Sequence, residues 1–272
     1  MLKCGLLGRK LGHSYSPQIH SMLSDYEYVL FEKEPEELES FLKSGDFNGL
    51  NVTIPYKKSV IPYCDELSEI ARAIGSVNTI IKRPDGSLYG DNTDAFGFES
   101  LIGSSGICVE GKKAIVLGSG GASVTVCAVL KKLGAREVIV ISRKGENNYD
   151  NISNHADADI VVNTTPIGMY PNNGESALDL SVFKTLSGVL DVVYNPARTA
   201  IMLQAEELGI PGACGLHMLV AQAKRSSELF TGSVIADSEI SRIESVLSRQ
   251  MQNRLNTRNA RQRKNYRCKP SR

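Results

Sequence analysis

Apolar residues in the first hundred positions come in short runs, separated by stretches in which they recur every three or four residues. That change of period predicts an α/β layering, with strands buried in a sheet and helices laid over it. Residues 2–7 read as a strand. After a polar turn, residues 13–22 read as a helix that Pro17 is placed to open. Residues 29–32 form a second strand, and residues 35–43 a helix with Leu38, Phe41 and Leu42 at helical spacing. Residues 49–54 predict a third strand and residues 65–74 a further helix. Two short apolar runs, 77–82 and 88–89, flank Pro84-Asp85-Gly86, a strong turn signal. Small and polar residues over 103–111 then mark a crossing into a second domain.

The second half is more sharply patterned. An apolar run at 113–117 leads into a glycine-rich turn and a helix over 122–133. Gly134 ends that helix, and residues 137–141 form the next strand. This is a βαβ unit, expected to cross over right-handed. Residues 160–163 and 189–193 predict further strands, and residues 200–208 a helix. The stretch 143–158 has almost no apolar face, so its connecting helix is expected to be short or absent. Residues 216–230 and 238–251 are helical by periodicity and are expected to pack back on the first domain.

Composition changes this picture in a few places. The chain has 272 residues, 42% hydrophobic and 22% charged, which suits a globular protein of two domains. Its net charge of +1 hides an asymmetry. The first 253 residues hold 23 basic against 30 acidic side chains, and eight Lys or Arg with no acid follow. The body is therefore acidic, which argues against a nucleic-acid surface. The basic tail, 253–272, has no apolar period and is expected to be disordered. A nucleic-acid arm is the alternative reading of that tail. Six scattered cysteines without a Cys-x-x-Cys pair fit a reducing cytoplasm. No run approaches the roughly 18 apolar residues a membrane span needs, and the N-terminus has no signal-like segment. No helix face is plainly a dimer seam, which leaves a homodimer open.

Three places carry chemistry. The turn Gly118-Ser119-Gly120-Gly121-Ala122-Ser123, between a strand and a helix, can set backbone N–H groups and a positive helix end against a pyrophosphate. Alone it could be a plain tight turn; its strand–turn–helix–strand setting favours a nucleotide loop. The next strand ends at Ser142-Arg143-Lys144, where an NAD site would place an acid. Arg143 can instead pair with a 2′-phosphate or stack on adenine, which favours NADP; a solvated strand end is the bland alternative. Lys57 follows a strand and a proline turn, and Asp94 ends Gly-Asp-Asn-Thr-Asp. Singly, Lys57 reads as surface and Asp94 as the cap of a helix starting at Ala95. Together they can move a proton to or from a substrate oxygen. Proton handling beside a dinucleotide site is the pattern of a dehydrogenase acting on an alcohol or ketone. Two hydroxyls, Ser14 and Ser16, near a helix start could clamp a carboxylate, or Ser16 could be an ordinary N-cap. His13 and His20 form no metal set with a nearby acid or cysteine, so no metal is assigned.

These pieces, in this order from about Gly5 to Gly232, resemble the shikimate dehydrogenase family. The resemblance rests on His13-Ser-Tyr-Ser-Pro-Gln-Ile-His20, Asn51-Val-Thr-Ile-Pro-Tyr-Lys57, Ile74-Gly-Ser-Val-Asn-Thr79 and Asp91-Asn-Thr-Asp94. It continues through the glycine turn, Asn163-Thr-Thr-Pro-Ile-Gly-Met169, Asp191-Val-Val-Tyr194 and Gly215-Leu-His-Met-Leu-Val-Ala-Gln222. It implies two α/β domains flanking a cleft: a substrate domain (1–103) and a Rossmann-type NADP domain (104–214). Helices over 215–252 would return to the first. Lys57 and Asp94 would be catalytic, with Ser14, Ser16, Asn51, Thr53, Asn78, Tyr194 and Gln222 on the substrate. Gly118, Ser119, Gly120, Gly121, Ala122, Ser142, Arg143, Lys144, Thr164, Val192, Gly215 and Met218 would hold NADP. The implied reaction is NADPH-dependent reduction of 3-dehydroshikimate to shikimate, in aromatic amino-acid biosynthesis. An NAD-using quinate/shikimate dehydrogenase and a non-catalytic nucleotide sensor are the alternatives on the same fold. The chain departs from the family at 142–144, where Asn-Arg-Thr is usual, at Phe230, where the family has tryptophan, and beyond about Gln252.

Overall fold

In the computed structural model the described residues are 1–12 and 14–267, with side chains described through Asn253. The chain builds two sheets. The first has six strands: β1 (Lys3–Gly8), β2 (Glu27–Glu32), β3 (Gly49–Val52), β4 (Glu66–Leu67), β5 (Thr79–Lys82) and β6 (Leu88–Asp91), in the spatial order β2-β1-β3-β5-β6-β4. β1 runs parallel to β2 and β3, while β5 is antiparallel to both β3 and β6. One face is covered by α2 (Leu38–Ser44) and the turns after β3, closing a core of Leu7, Leu42, Leu50, Val60, Val77 and Ile80.

The second sheet is wholly parallel, and its three inner strands are buried along their whole length, as sheets covered on both faces require. Its strands are β7 (Lys113–Leu117), β8 (Glu137–Ile141), β9 (Ile160–Asn163), β10 (Gly188–Asp191) and β11 (Gly212–Cys214), ordered β11-β10-β9-β7-β8. Helix α5 (Gly121–Lys132) packs with Ala114, Val116, Ile160, Val162 and Leu190 on one face. Helix α6 (Ala200–Glu207) packs with Ile115, Leu117, Val161 and Val189 on the other. After β8 the chain jumps to the far side of β7, so the order reverses between β7 and β9. That is the switch point at which a doubly wound sheet binds its ligand.

Helix α4 (Thr93–Ser105) leads out of the first sheet toward the second, and α7 (Leu216–Thr231) leads back. The two lie against each other at Gly97, where an added Cβ would sit 2.6 Å from the Met218 carbonyl oxygen. α1 (Ser16–Leu23), α7 and α8 (Ser238–Arg267) share a separate core of Ile19, Val220, Ile243 and Leu247.

Several sequence expectations change. The helix expected over 65–74 is α3 (Glu69–Ile74) alone. Residues 66–67 instead pair with β6, and Ser68 accepts the Ala71 N–H as N-cap, which fixes the helix start there. The helix expected over 35–43 opens with a 3₁₀ turn, Pro35–Glu37. Only 3₁₀ turns join β8 to β9, in line with the polar stretch there. β11 has no apolar run to betray it. The tail from 253, expected without regular structure, continues α8 as far as Arg267. Nothing between Ser238 and Arg267 is Gly or Pro, so no residue ends the helix. Residues 268–272, Cys268 among them, and His13 lie outside the described residues.

Candidate active site

Strand polarity gathers the chemistry at one end of the first sheet. β1, β3 and β6 end there and the antiparallel β5 begins there. The segments leaving or entering those ends carry Ser14, Thr53, Lys57, Asn78 and Asp94. Lys57 sits in a tight turn after β3. Its carbonyl accepts the Val77 N–H at 2.8 Å, and its neighbour Tyr56 is buried, with its hydroxyl on the Lys33 carbonyl. The lysine backbone is thereby fixed, and the side chain reaches Asp94, Nζ to Oδ2 2.5 Å. Asp94 is not the cap of α4. Asn92 takes that role, its side chain accepting the Ala95 N–H at 3.2 Å. Asp94 stands in the first turn, where the helix end favours its negative charge, and its carboxylate is free to hold the ammonium. Lys57 is 28% and Asp94 17% exposed, so the pair is sheltered yet reachable.

The pair opens on a cavity of about 310 Å³ lined from both halves of the molecule. All nine catalytic and substrate residues expected from the sequence line it: Ser14, Ser16, Asn51, Thr53, Lys57, Asn78, Asp94, Tyr194 and Gln222. Ser16 is not an N-cap; α1 begins at Ser16 with Tyr15 before it, and no side chain caps the turn. Ser14 Oγ accepts the Ser16 N–H at 3.1 Å, which holds the two hydroxyls together and leaves the Ser14 proton to donate. Tyr194 packs edge-on against Tyr15, ring centres 6.0 Å apart, and burial raises its pKa, so its hydroxyl stays protonated.

From the second half, Ala122, Val192, Gly215 and Met218 line the same cavity. The other expected cofactor residues lie further along the sheet's edge. Gly118 to Ala122 follow β7, Ser142 to Lys144 follow β8, Thr164 follows β9, Val192 follows β10 and Gly215 follows β11. Each position is thus at the C-terminal end of a parallel strand, the side on which such sheets bind nucleotides. The glycine turn fits a phosphate. Gly118 has φ +100°, α5 starts at Gly121 without a side-chain cap, and added Cβ atoms at Gly120 and Gly121 would meet nothing within 4 Å. Thr164 Oγ1 donates to the Leu117 carbonyl at 2.6 Å, fixing the β9 end to the β7 end. Gly215 must be glycine, because a Cβ there would lie 2.1 Å from the Val192 carbonyl oxygen. Among the described residues no group of three or more His, Cys, Asp or Glu could hold a metal ion.

Sequence reasoning assigned no role to the polar groups behind these loops. Asp191 is fully buried; it accepts from Thr199 Oγ1 at 2.5 Å, Val193 N at 2.9 Å and Asn163 Nδ2 at 3.0 Å. Burial raises its pKa, and the three donors act against that rise. Asn163 in turn receives the N–H and hydroxyl of Thr165. This set shapes the loops that carry Thr164 and Val192. Its sequence signals were a polar residue at the end of each of two apolar strands and the place of Asn163 and Asp191 at the head of two motifs of the resemblance.

Comparisons with known proteins agree with this geometry. Residues 6–80 match the family model described as the shikimate dehydrogenase substrate binding domain. The chain is 36% identical over 246 residues to the shikimate dehydrogenase (NADP(+)) of Clostridium beijerinckii, covering 83% of this chain and 90% of that one. Among solved structures it resembles a chorismate mutase/shikimate 5-dehydrogenase fusion protein from Clostridium acetobutylicum, with TM-score 0.86 and 36% identity. The match covers 92% of this chain and 98% of that one. It also resembles the Thermus thermophilus shikimate 5-dehydrogenase in complex with NADP(H) and shikimate, with TM-score 0.80 and 30% identity, covering 92% of this chain and all of that one.

Proposed function

The chain belongs to the shikimate dehydrogenase family, and from that premise we propose how its cleft carries out the family's reaction. The activity is the reversible NADPH-dependent reduction of 3-dehydroshikimate to shikimate, a step toward the aromatic amino acids. The observation that carries the proposal is the 2.5 Å Lys57–Asp94 pair inside a cavity walled by both halves.

NADPH, when bound, supplies a hydride to the C3 carbonyl carbon of 3-dehydroshikimate. Lys57 faces the carbonyl oxygen and gives it a proton as negative charge develops there. Asp94 keeps the ammonium aimed; in the oxidation direction the same pair takes the hydroxyl proton back. Ser14 and Ser16 hold the ring carboxylate. Asn51, Thr53, Asn78, Tyr194 and Gln222 orient the ring so that one face meets the wall formed by Ala122, Val192, Gly215 and Met218. The N–H groups of the 118–122 turn hold the pyrophosphate, and Arg143 with Lys144 and Ser142 binds the 2′-phosphate. Residues 1–103 and 215–252 form the substrate half in this reading, and residues 104–214 the NADP half. A cytoplasmic enzyme acting as a homodimer completes the proposal; sedimentation velocity tests the dimer.

The functional test is absorbance at the reduced-nicotinamide band with shikimate or quinate offered alongside NADP or NAD. Turnover is expected with shikimate and NADP well above the other three pairs. Preference for quinate or NAD would move the protein to the broader dehydrogenase class, and no turnover from folded protein would overturn the enzyme reading.

A further inference from the structure

Beneath the cavity floor lies a closed polar cluster: Asn51, Asn78, Thr79, Thr93 and Ser226 are all buried. Ser226 comes from α7, the returning helix, and reaches across to β3, β5 and the start of α4. Its hydroxyl lies 3.0 Å from the Gln222 carbonyl oxygen, 2.7 Å from Asn51 Nδ2, 3.0 Å from Thr93 Oγ1 and 3.1 Å from Thr79 Oγ1.

The structure shows one sense for the bonds that matter. Ser226 donates its proton to the Gln222 carbonyl, which can only accept, while its bonds to Thr79 and Thr93 can run either way. Asn51 turns its NH₂ toward Ser226, with Thr79 Oγ1 also at 3.3 Å, and its carbonyl toward Tyr28. The Tyr28 hydroxyl donates to Asn51 Oδ1 at 2.8 Å. Asn78 is fixed independently and in the opposite sense. The Thr93 N–H can only donate, and it meets Asn78 Oδ1 at 2.6 Å, with the Thr79 and Thr93 hydroxyls both 3.1 Å away. Both asparagines line the cavity. Asn51 therefore has carbonyl capacity left for a ligand and Asn78 has amide hydrogens left.

We propose that Ser226 is a positioning residue that locks Asn51 as an acceptor, opposite Asn78 as a donor, so that the cavity floor recognises substrate ring hydroxyls by a fixed polarity. The inference rests on the shikimate dehydrogenase reading above. Tyr28 holds the carbonyl side of that amide and Ser226 its NH₂ side. Without the Ser226 hydroxyl the Asn51 NH₂ keeps only Thr79 Oγ1 at 3.3 Å, and an amide that turns over offers a donor where the substrate hydroxyl needs an acceptor.

The test is steady-state kinetics of Ser226→Ala beside the unmutated protein, varying shikimate and NADP separately. The expected result is a roughly tenfold rise in KM for shikimate, the size of one misdirected buried hydrogen bond, with kcat and KM for NADP within about twofold. Should Ser226→Ala fail to fold, Thr79→Val, which removes a hydroxyl touching both amides, is read in the same way. An unchanged KM for shikimate, or a rise in both KM values together, overturns the positioning role while leaving the functional reading intact. Absence of shikimate turnover by the unmutated protein overturns both.

Discussion

At the scale of single residues, burial decides more than spacing does. His20 is 1% exposed; its Nδ1 meets the Tyr26 hydroxyl at 2.5 Å, its ring stacks on Tyr28 at 4.1 Å, and its Nε2 has no partner. Burial lowers its pKa to about 3, and the Asn51 side chain acts against that fall. The folded state thus keeps His20 neutral where the unfolded chain, with an ordinary histidine, protonates below about 6.5. The unfolded state binds the extra proton, so stability falls as pH drops from 6.5 toward 3, at up to about 1.4 kcal/mol per pH unit. Denaturant melts between pH 7 and 5 should show that slope, and His20→Phe should flatten it. Arg143 is the opposite case, an exposed residue whose proposed role rests on a sequence signal, the missing acid at a strand end. Arg143→Ala should raise KM for NADP roughly tenfold or more, the loss of a charge-assisted bond, and leave NAD nearly unchanged. Lys57 and Asp94 were legible because each stands beside turn or strand signals, whereas Asn78 was named only through the family resemblance. Ser226 and Asp191 were not legible, since their roles come from partners such as Asn51 and Asn163, far away along the chain.

Among the elements, α4 and α7 do most to position the site. Asp94 stands in the first turn of α4, Met218 and Gln222 lie on α7, and Gly97 permits their close approach. Gly97→Val would drive a side chain into the Met218 carbonyl and the Gln222 Cβ, which is 3.0 Å from an added Cβ. It should destabilise the fold by about 1–3 kcal/mol and lower kcat further than that loss explains, as thermal melts and kinetics together would show. Gly215→Ala should act similarly on the NADP side, because its obstacle is backbone at Val192 and cannot move aside. Elements with strong apolar periods, β7, α5 and β8, could be placed from the sequence nearly to the residue. β4 and β11 could not, since two- or three-residue strands exist only through pairing with β6 and β10. Helix α8 outran its apolar period because nothing in its sequence terminates it.

For the whole molecule, the two sheets present their functional ends to one cavity. The first contributes Lys57 and Asp94; the second contributes Val192 and Gly215 at its strand ends. That convergence was legible as a resemblance but not as geometry, because composition and period say nothing about how two sheets face each other. Among the described residues no helix is long and apolar enough to cross a membrane. The described residues that line the cavity all come from the body of the chain, so removal of residues 254–272 should leave kcat and both KM values within about twofold, the ordinary range for changes away from a site. The central claim is that Lys57, held by Asp94, supplies the proton that accompanies hydride transfer. Its most direct test is a single-turnover measurement of Lys57→Met with saturating shikimate and NADP, followed at the reduced-nicotinamide band. A rate lower by roughly 10²–10⁴, with NADP binding unchanged by titration, is the predicted result; a rate near that of the unmutated protein would contradict the account.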